Sequence, residues 1–399
     1  MRSYDGTRVL IAGGGVAALE ALLTLHELAG ERASVRLLSP SDELVYRPLA
    51  VGQPFGLGRA RRYDLARICS DHAAELIAGE LESVDSAGKH VLTPAERAID
   101  YDVLLVAVGA RSQPSIEGAV TVAGPGYTSR FSTVLEQLEQ HRFHRLTFAV
   151  PTGASWPLPL YELALMTAAH LAERLLPLRG LELRFVTPEQ EPLALFGATA
   201  SDEVAGLLER SGVELLTGLH PVDIEGDELV VAPAGGRVPA ERVVTLPTIV
   251  GPAIEGIAHD ADGFIPIDPH GLVRGESDVY AAGDAVSFPI KQGGIAAQQA
   301  DAAAESIAAR AGAPLDPAPF RPVLRGMLLT GGAPRFMRAE VSGGRGEDWE
   351  VAKHALWWPP SKIAGRRLSP YLGVHHEELA TNTAAGAMPI ELDLELQSR

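Results

Sequence analysis

The run Val9-Leu10-Ile11-Ala12-Gly13-Gly14-Gly15-Val16-Ala17-Ala18 constrains this chain more than any other feature. An apolar strand leads into glycines spaced GxGxxA, and these open a helical pattern from Val16 to Leu28 before a second strand, Val35 to Leu38. That order is a βαβ unit. In it Gly13 permits the tight turn, Gly15 lets backbone approach a pyrophosphate, and Ala18 lets helix and sheet pack closely. The helix N-terminus adds N–H donors and the positive end of a dipole. A purely structural glycine turn is the alternative; the position directly after the first strand favours a dinucleotide site. The acidic residue that usually grips a ribose should end the second strand. Ser39 stands there, and a hydroxyl binds a ribose more weakly than a carboxylate does.

Beyond this unit come a Pro/Gly-rich loop (46–58), a short helix near Asp64 to His72, antiparallel strands expected between Glu75 and Leu92, and the apolar strand Val103 to Val108, which ends at Gly109. A second alternation follows: helix Ser132 to Gln140, strand Leu146 to Val150, helix Tyr161 to Leu175, strand Leu181 to Val186, helix Ser201 to Arg210 and strand Val213 to Leu216. The expectation is an α/β protein with two Rossmann-like doubly wound domains. The first is discontinuous (1–112 and 248–313), with the second (113–247) inserted, a C-terminal module over 314–375 and a weakly patterned tail over 376–399.

The 399 residues suffice for two or three cores. A formal net charge of −17 without a basic stripe argues against a nucleic-acid partner. No apolar run approaches the roughly 20 residues of a spanning helix, and no secretion signal precedes the first strand, so a cytoplasmic location is expected. Cys69, the single cysteine, has helical apolar neighbours and reads as core; one thiol excludes an intrachain disulfide or a CxxC site. No metal site is expected: His141 and His144 lack a matching third ligand, and His375 and His376 lead into an acidic tail.

Far downstream stand Asp278-Val279-Tyr280-Ala281-Ala282-Gly283-Asp284-Ala285, then Lys291-Gln292-Gly293-Gly294 and an alanine-rich helix. With Gly13 to Ala18 and the segment from Tyr101 to Arg111, these resemble the pyridine nucleotide-disulfide oxidoreductase-like flavoproteins, especially sulfide:quinone oxidoreductase, flavocytochrome c sulfide dehydrogenase and type II NADH dehydrogenase. The resemblance covers about residues 5 to 315. It implies bound FAD, with Asp284 at the ribityl or pyrophosphate region, the Gly109 turn beside the cofactor and Gly283 in the strand-ending turn. Arg47, in Tyr46-Arg47-Pro48, either pairs with a phosphate or is solvated. Lys291, one of only four lysines, and the helix start at Gly293 and Gly294 suit the anionic N1–C2=O edge of a reduced flavin; a surface lysine is the alternative.

The second unit departs from the resemblance. Trp156 occupies the position of the sulfide-oxidising branch's cysteine, so thiol-based sulfide oxidation should be absent. Pro151-Thr152-Gly153-Ala154-Ser155-Trp156-Pro157-Leu158-Pro159 replaces the glycine triplet of the NADH-dependent branch, which weakens the case for NAD(P)H; helix initiation is the bland reading of the prolines. Glu162 matches a helix-start glutamate near flavin and nicotinamide, and either carries protons or merely compensates helix charge. Trp357, Trp358, Lys362, Arg366, Arg367 and Tyr371 combine aromatics with cations as an interfacial anchor at the inner face of a membrane would; packing or homodimerisation is the stronger reading. The function expected is an FAD-dependent oxidoreductase with a small-molecule donor and a quinone or protein acceptor. An FAD-binding scaffold with a decayed second site is the alternative.

Overall fold

The computed structural model describes residues 6–373 apart from 125, 175–179, 234 and 343–344, so His375, His376 and the tail lie outside the described residues. The chain runs through β1 (Thr7–Ala12), α1 (Val16–Ala29), β2 (Ala33–Ser39), α2 (Leu65–Asp71), β3 (Glu75–Ala78) and β4 (Val103–Val106). It continues through β5 (Val120–Thr121), α3 (Tyr127–Glu139), β6 (Arg145–Ala149), α4 (Leu158–Glu173), β7 (Glu182–Val186), α5 (Ala198–Arg210), β8 (Val213–Leu216) and β9 (Arg242–Thr245). Last come β10 (Val279–Ala281), α6 (Gly293–Arg310) and the strands β11 (Val323–Leu328), β12 (Arg335–Ser342) and β13 (Arg345–Ala352).

Two parallel five-stranded sheets result, ordered β3-β2-β1-β4-β10 and β8-β7-β6-β9-β5. The strand order reverses between β1 and β4 in the first sheet and between β6 and β9 in the second, and the crevice outside the carboxyl ends at such a switch point is where open α/β sheets bind ligands. The first sheet is completed only when β10 returns to pair with β4 after the whole second unit. Both doubly wound units expected from the alternation are therefore present.

Several local expectations shift. Glu75–Ala78 is not antiparallel: α2 serves as its crossover, so β3 joins β2 in parallel, and the antiparallel strands are Ser83–Asp85, His90–Leu92 and Ala98–Asp100. Helix α4 begins at Leu158 rather than Tyr161, because Pro157 and Pro159 occupy a cap and first turn that need no N–H. Helix α3 begins at Tyr127, directly after Gly126.

Among the described residues the C-terminal segment packs into the cores of the two units rather than forming a separate one. Leu324, Leu328, Met337 and Ala339 pack with Leu158 and Phe196 in the second unit's core, while Leu368 and Leu372 join that of the first unit. Four members of the supposed anchor are used internally. Arg367 binds Glu27 and Asp301 (2.8 and 3.0 Å), Lys362 pairs with Glu162, the Trp357 indole N–H donates to the Ser361 carbonyl, and the Tyr371 hydroxyl donates to Asp71. Glu20, buried in α1, accepts the Arg367 and Leu368 backbone N–H groups at 2.6 and 3.0 Å, clamping the C-terminal turn onto the first unit. Of the six residues, Trp358 and Arg366 are the ones mostly exposed. Among the described residues no helix is long and apolar enough to cross a membrane.

Candidate functional site

A cavity of about 530 Å3 opens at the switch point of the first sheet and runs between both units and the C-terminal strands. Three segments remote in sequence meet there: Gly14 to Ala17 from the first turn, Ala107 to Gly109 from the end of β4, and Ala282 to Asp284 from the end of β10.

The glycines of the first turn do different work. Gly13 has φ +125°, and a Cβ on it would stand 2.2 Å from the Ala107 carbonyl oxygen, so β1 and β4 can converge only on glycine. Gly14 is crowded by Ser39. Gly15 is different: its backbone is extended (φ −91°, ψ −169°) and a Cβ would meet no protein atom within 4 Å, so nothing in the fold requires glycine. A Cβ there would project into the space a pyrophosphate needs, above a helix N-terminus with no side-chain cap. The residues therefore fit a dinucleotide. Ala18 is fully buried and serves helix packing.

Ser39 does not reach the cavity. It is buried, and its hydroxyl donates to the Ser41 carbonyl (2.8 Å) and accepts the Ser41 N–H (3.2 Å), because the chain turns sharply after β2. Arg47 and Gly109 line the cavity, Arg47 exposed and Gly109 at φ +77° with open space beside it. Gly283 donates its N–H to Gln299 Oε1 at 2.9 Å. Asp284 lines the wall, and burial holds its carboxyl above the usual range while the Lys291 charge opposes that. Lys291 lines the cavity, but its ammonium is engaged: it donates to the Val286 carbonyl and stands 3.8 Å from the centre of the Phe264 ring. Burial lowers its pKa to about 8 against the pull of Asp284 and Asp260. Gly293 lines the wall too, where a Cβ would strike Ile363 at 2.6 Å; Gly294 is buried behind it, beneath the Gln292 amide that caps α6.

Glu162 is fully buried and does not line the cavity. Both its oxygens bind Lys362 Nζ at 2.6 Å, and Oε1 also accepts the Leu329 N–H at 2.8 Å. Burial raises its pKa and Lys362 opposes the rise. Lys362, which the sequence placed in a segment expected to pack, dimerise or anchor, is the member of the pair that faces the cavity.

Among the described residues the second unit shows no matching open turn. Pro159 has no N–H, and the Leu160 N–H is already bonded to the Pro157 carbonyl at 3.0 Å. Glu189, just beyond β7 where a ribose-binding carboxylate would stand, accepts the Tyr161 and Thr187 hydroxyls at 2.6 and 3.0 Å. Tyr161 lies stacked on Phe185 (ring centres 4.0 Å apart), which holds its hydroxyl against that carboxylate. These residues do not fit a second dinucleotide. Glu189 escaped the sequence reading, although its place after β7 is the signal that could have found it. Trp156 lines the cavity, packed against Phe196. Cys69 is buried in α2, its thiol pushed up to about 11 by burial. Among the described residues no cluster of His, Cys, Asp or Glu could hold a metal.

Two switch-point units sharing one nucleotide-sized cavity define a protein of the two-dinucleotide-binding-fold class. The chain belongs to the pyridine nucleotide-disulphide oxidoreductase family, whose family model matches residues 7–304. It is similar to a sulfide-quinone reductase of Aquifex aeolicus (23% identical, covering 63% of this chain and 61% of that protein). It is also similar to the peroxisomal monodehydroascorbate reductase 4 of Arabidopsis thaliana (24% identical, covering 71% and 61%). The matched region thus spans 61% of the length of each curated relative. Its fold matches the crystal structure of the sulfide:quinone oxidoreductase from Aquifex aeolicus with a TM-score of 0.77 at 20% identity, over 94% of this chain and 90% of that one.

Proposed function

We propose that this chain is an FAD-dependent oxidoreductase that carries electrons from a small reductant to a quinone or protein acceptor, without a thiol relay and without NAD(P)H at its second unit. The observation that carries the reading is Gly15, a glycine required by no protein contact, at an uncapped helix N-terminus facing a cavity of about 530 Å3. FAD, when bound, supplies the two-electron centre. The α1 N-terminus and Arg47 would hold its pyrophosphate, and Gly109 and Asp284 would flank the ribityl chain. Lys362 spends two of its three N–H donors on Glu162, which leaves one to present a proton from Nζ to the cavity. Glu162 is the positioning residue for that donor.

The absence of a thiol relay is supported by Trp156 in the cavity wall and by a buried Cys69. The test is an anaerobic spectral titration of the purified protein with NADH, NADPH, sulfide and a reduced quinone in turn. Bound FAD bleached by a donor other than NAD(P)H, and recoloured by a quinone, is the expected result. A colourless protein unable to take up FAD overturns the reading, and a flavin inert to every donor favours the scaffold.

A further inference from the structure

Four cationic side chains line the cavity, Arg47, Lys291, Arg325 and Lys362, against one acidic side chain, Asp284. In a chain with net charge −17 this is a local reversal of sign, of the kind that concentrates anions in a cleft. Three of the four have an assignment: Lys362 is neutralised by Glu162, Lys291 is bound to Phe264 and Val286, and exposed Arg47 is the residue proposed above for the FAD pyrophosphate. Arg325 has none. Among the described residues its side chain makes no hydrogen bond or ion pair, and its Nε is buried without a partner. Arg338, opposite it on β12, is paired with Glu340 at 2.7 Å, and Glu350 stands opposite Arg338 on β13, so both acids lie beside Arg338 and neither pairs with Arg325. Burial, together with the Arg338 charge, lowers the Arg325 pKa. Arg325 is half-buried, and with its Nε shielded and no acid paired to it, its planar fork is left to a ligand.

The strand that carries Arg325 is fixed in place. The Gln292 amide donates to the Arg325 carbonyl at 3.1 Å, and Gln298 both donates to the Val323 carbonyl and accepts the Val323 N–H at 2.9 Å, stitching β11 to α6. Gly326 allows Phe196 and Leu158 to approach β11, and Phe196 in turn packs on Trp156 with ring centres 5.9 Å apart. Successive side chains of a strand point to opposite faces, so Arg325 lies on the other face of β11 from Phe196 and Leu158, the face it shares with Met327, and both residues line the cavity.

We propose that Arg325 is a specificity-determining residue of the cavity, and that the small electron donor or acceptor has an apolar body bearing a carboxylate or similar oxyanion. The inference rests on the oxidoreductase reading and names its substrate class. A planar carboxylate fits the guanidinium fork by two parallel N–H donations, and Met327, on the same face of β11, offers its body an apolar wall.

The test is calorimetric binding of 2-naphthoate and of its neutral isostere 2-naphthamide to the FAD-loaded protein. Wild type should prefer the carboxylate by about tenfold or more, the worth of one charge-assisted contact. Arg325→Gln should bring the two ligands within about twofold while keeping its FAD, and Arg325→Lys should retain part of the preference. Equal binding of the two ligands by FAD-loaded wild type overturns the proposal and leaves the oxidoreductase reading standing. So does a preference that survives in Arg325→Gln. Loss of FAD from both Arg325 variants would assign the side chain to the cofactor and also overturn it. The wild-type comparison decides even if the glutamine variant fails to fold.

Discussion

At the carboxyl end of β1 the chain enters α1 through residues 13–15, while at the matching end of β6 it takes residues 150–157 to enter α4. The two units agree up to that point, down to single hydrogen bonds: Gly13 N–H donates to the Leu38 carbonyl at 2.7 Å as Val150 N–H donates to the Val186 carbonyl at 2.9 Å. Then they diverge. The first turn leaves a helix N-terminus open beside a Gly15 that touches nothing, whereas the second spends its helix start on Pro157, Leu158 and Pro159 and buries it under the C-terminal strands. The sheet and its switch point make a nucleotide site topologically available. The loop decides whether backbone N–H groups remain to use it.

The comparison is broken most severely by exchanging its glycines. Gly15→Val should abolish FAD retention, read as flavin absorbance per chain, whereas Gly153→Ala in the second loop should leave FAD content unchanged. The latter should cost about 1 kcal/mol in unfolding free energy, because Gly153 sits at φ +78°. Equal FAD loss in both variants would mean that the units share the nucleotide.

Next in size is the ion pair behind the cavity. Glu162→Gln leaves Lys362 buried with a neutral partner and should cost roughly 3–5 kcal/mol by denaturant unfolding. Glu162→Gln combined with Lys362→Met should recover much of it, whereas a surface pair would show less than about 1 kcal/mol in either variant.

Tyr161→Phe probes the sealed second site. Removing the hydroxyl takes one donor from Glu189, which keeps Thr187, so unfolding free energy should fall by about 1–3 kcal/mol. NADH should still not bind in a fluorescence titration, since the prolines remain. Tight NADH binding by this variant would show that the tyrosine, not the loop, closed the site.

The smallest effect is expected at Lys291, whose ammonium is partly spent on Phe264 and Val286. Lys291→Met should lower the two-electron potential of bound FAD by at most about 30 mV, equivalent to roughly 1.4 kcal/mol. The sign with pH follows from a pKa lowered to about 8: below it the lysine is charged and the difference is present, and as pH rises through it the difference closes. Potentiometry at pH 6.5 and 9.5 reads both limbs, and an unchanged potential at both would make Lys291 a bystander.

Much was legible in the sequence because it was local. Turn glycines, apolar strand runs and prolines at a helix start act over a few residues, so Gly13 to Ala18, the paired α/β units and the damaged second loop could be read directly. Even the return of the chain to its first sheet was marked, by Gly283-Asp284 at a strand end. Side-chain partners were not marked. Ser39 stands where a ribose ligand belongs, yet its hydroxyl is consumed by Ser41, a contact set by the turn that follows. Glu162 carries the helix-start position, but the side chain facing the cavity is Lys362, 200 residues away, and only the closing of the C-terminal strands brings them together. Arg325 has no sequence signal at all. The sequence by itself determined which elements form and which loop keeps its N–H groups free, since backbone geometry is a local property. The tertiary structure alone decided which charges are paired and which stays without a partner, because burial and Coulomb contact depend on what distant segments bring alongside.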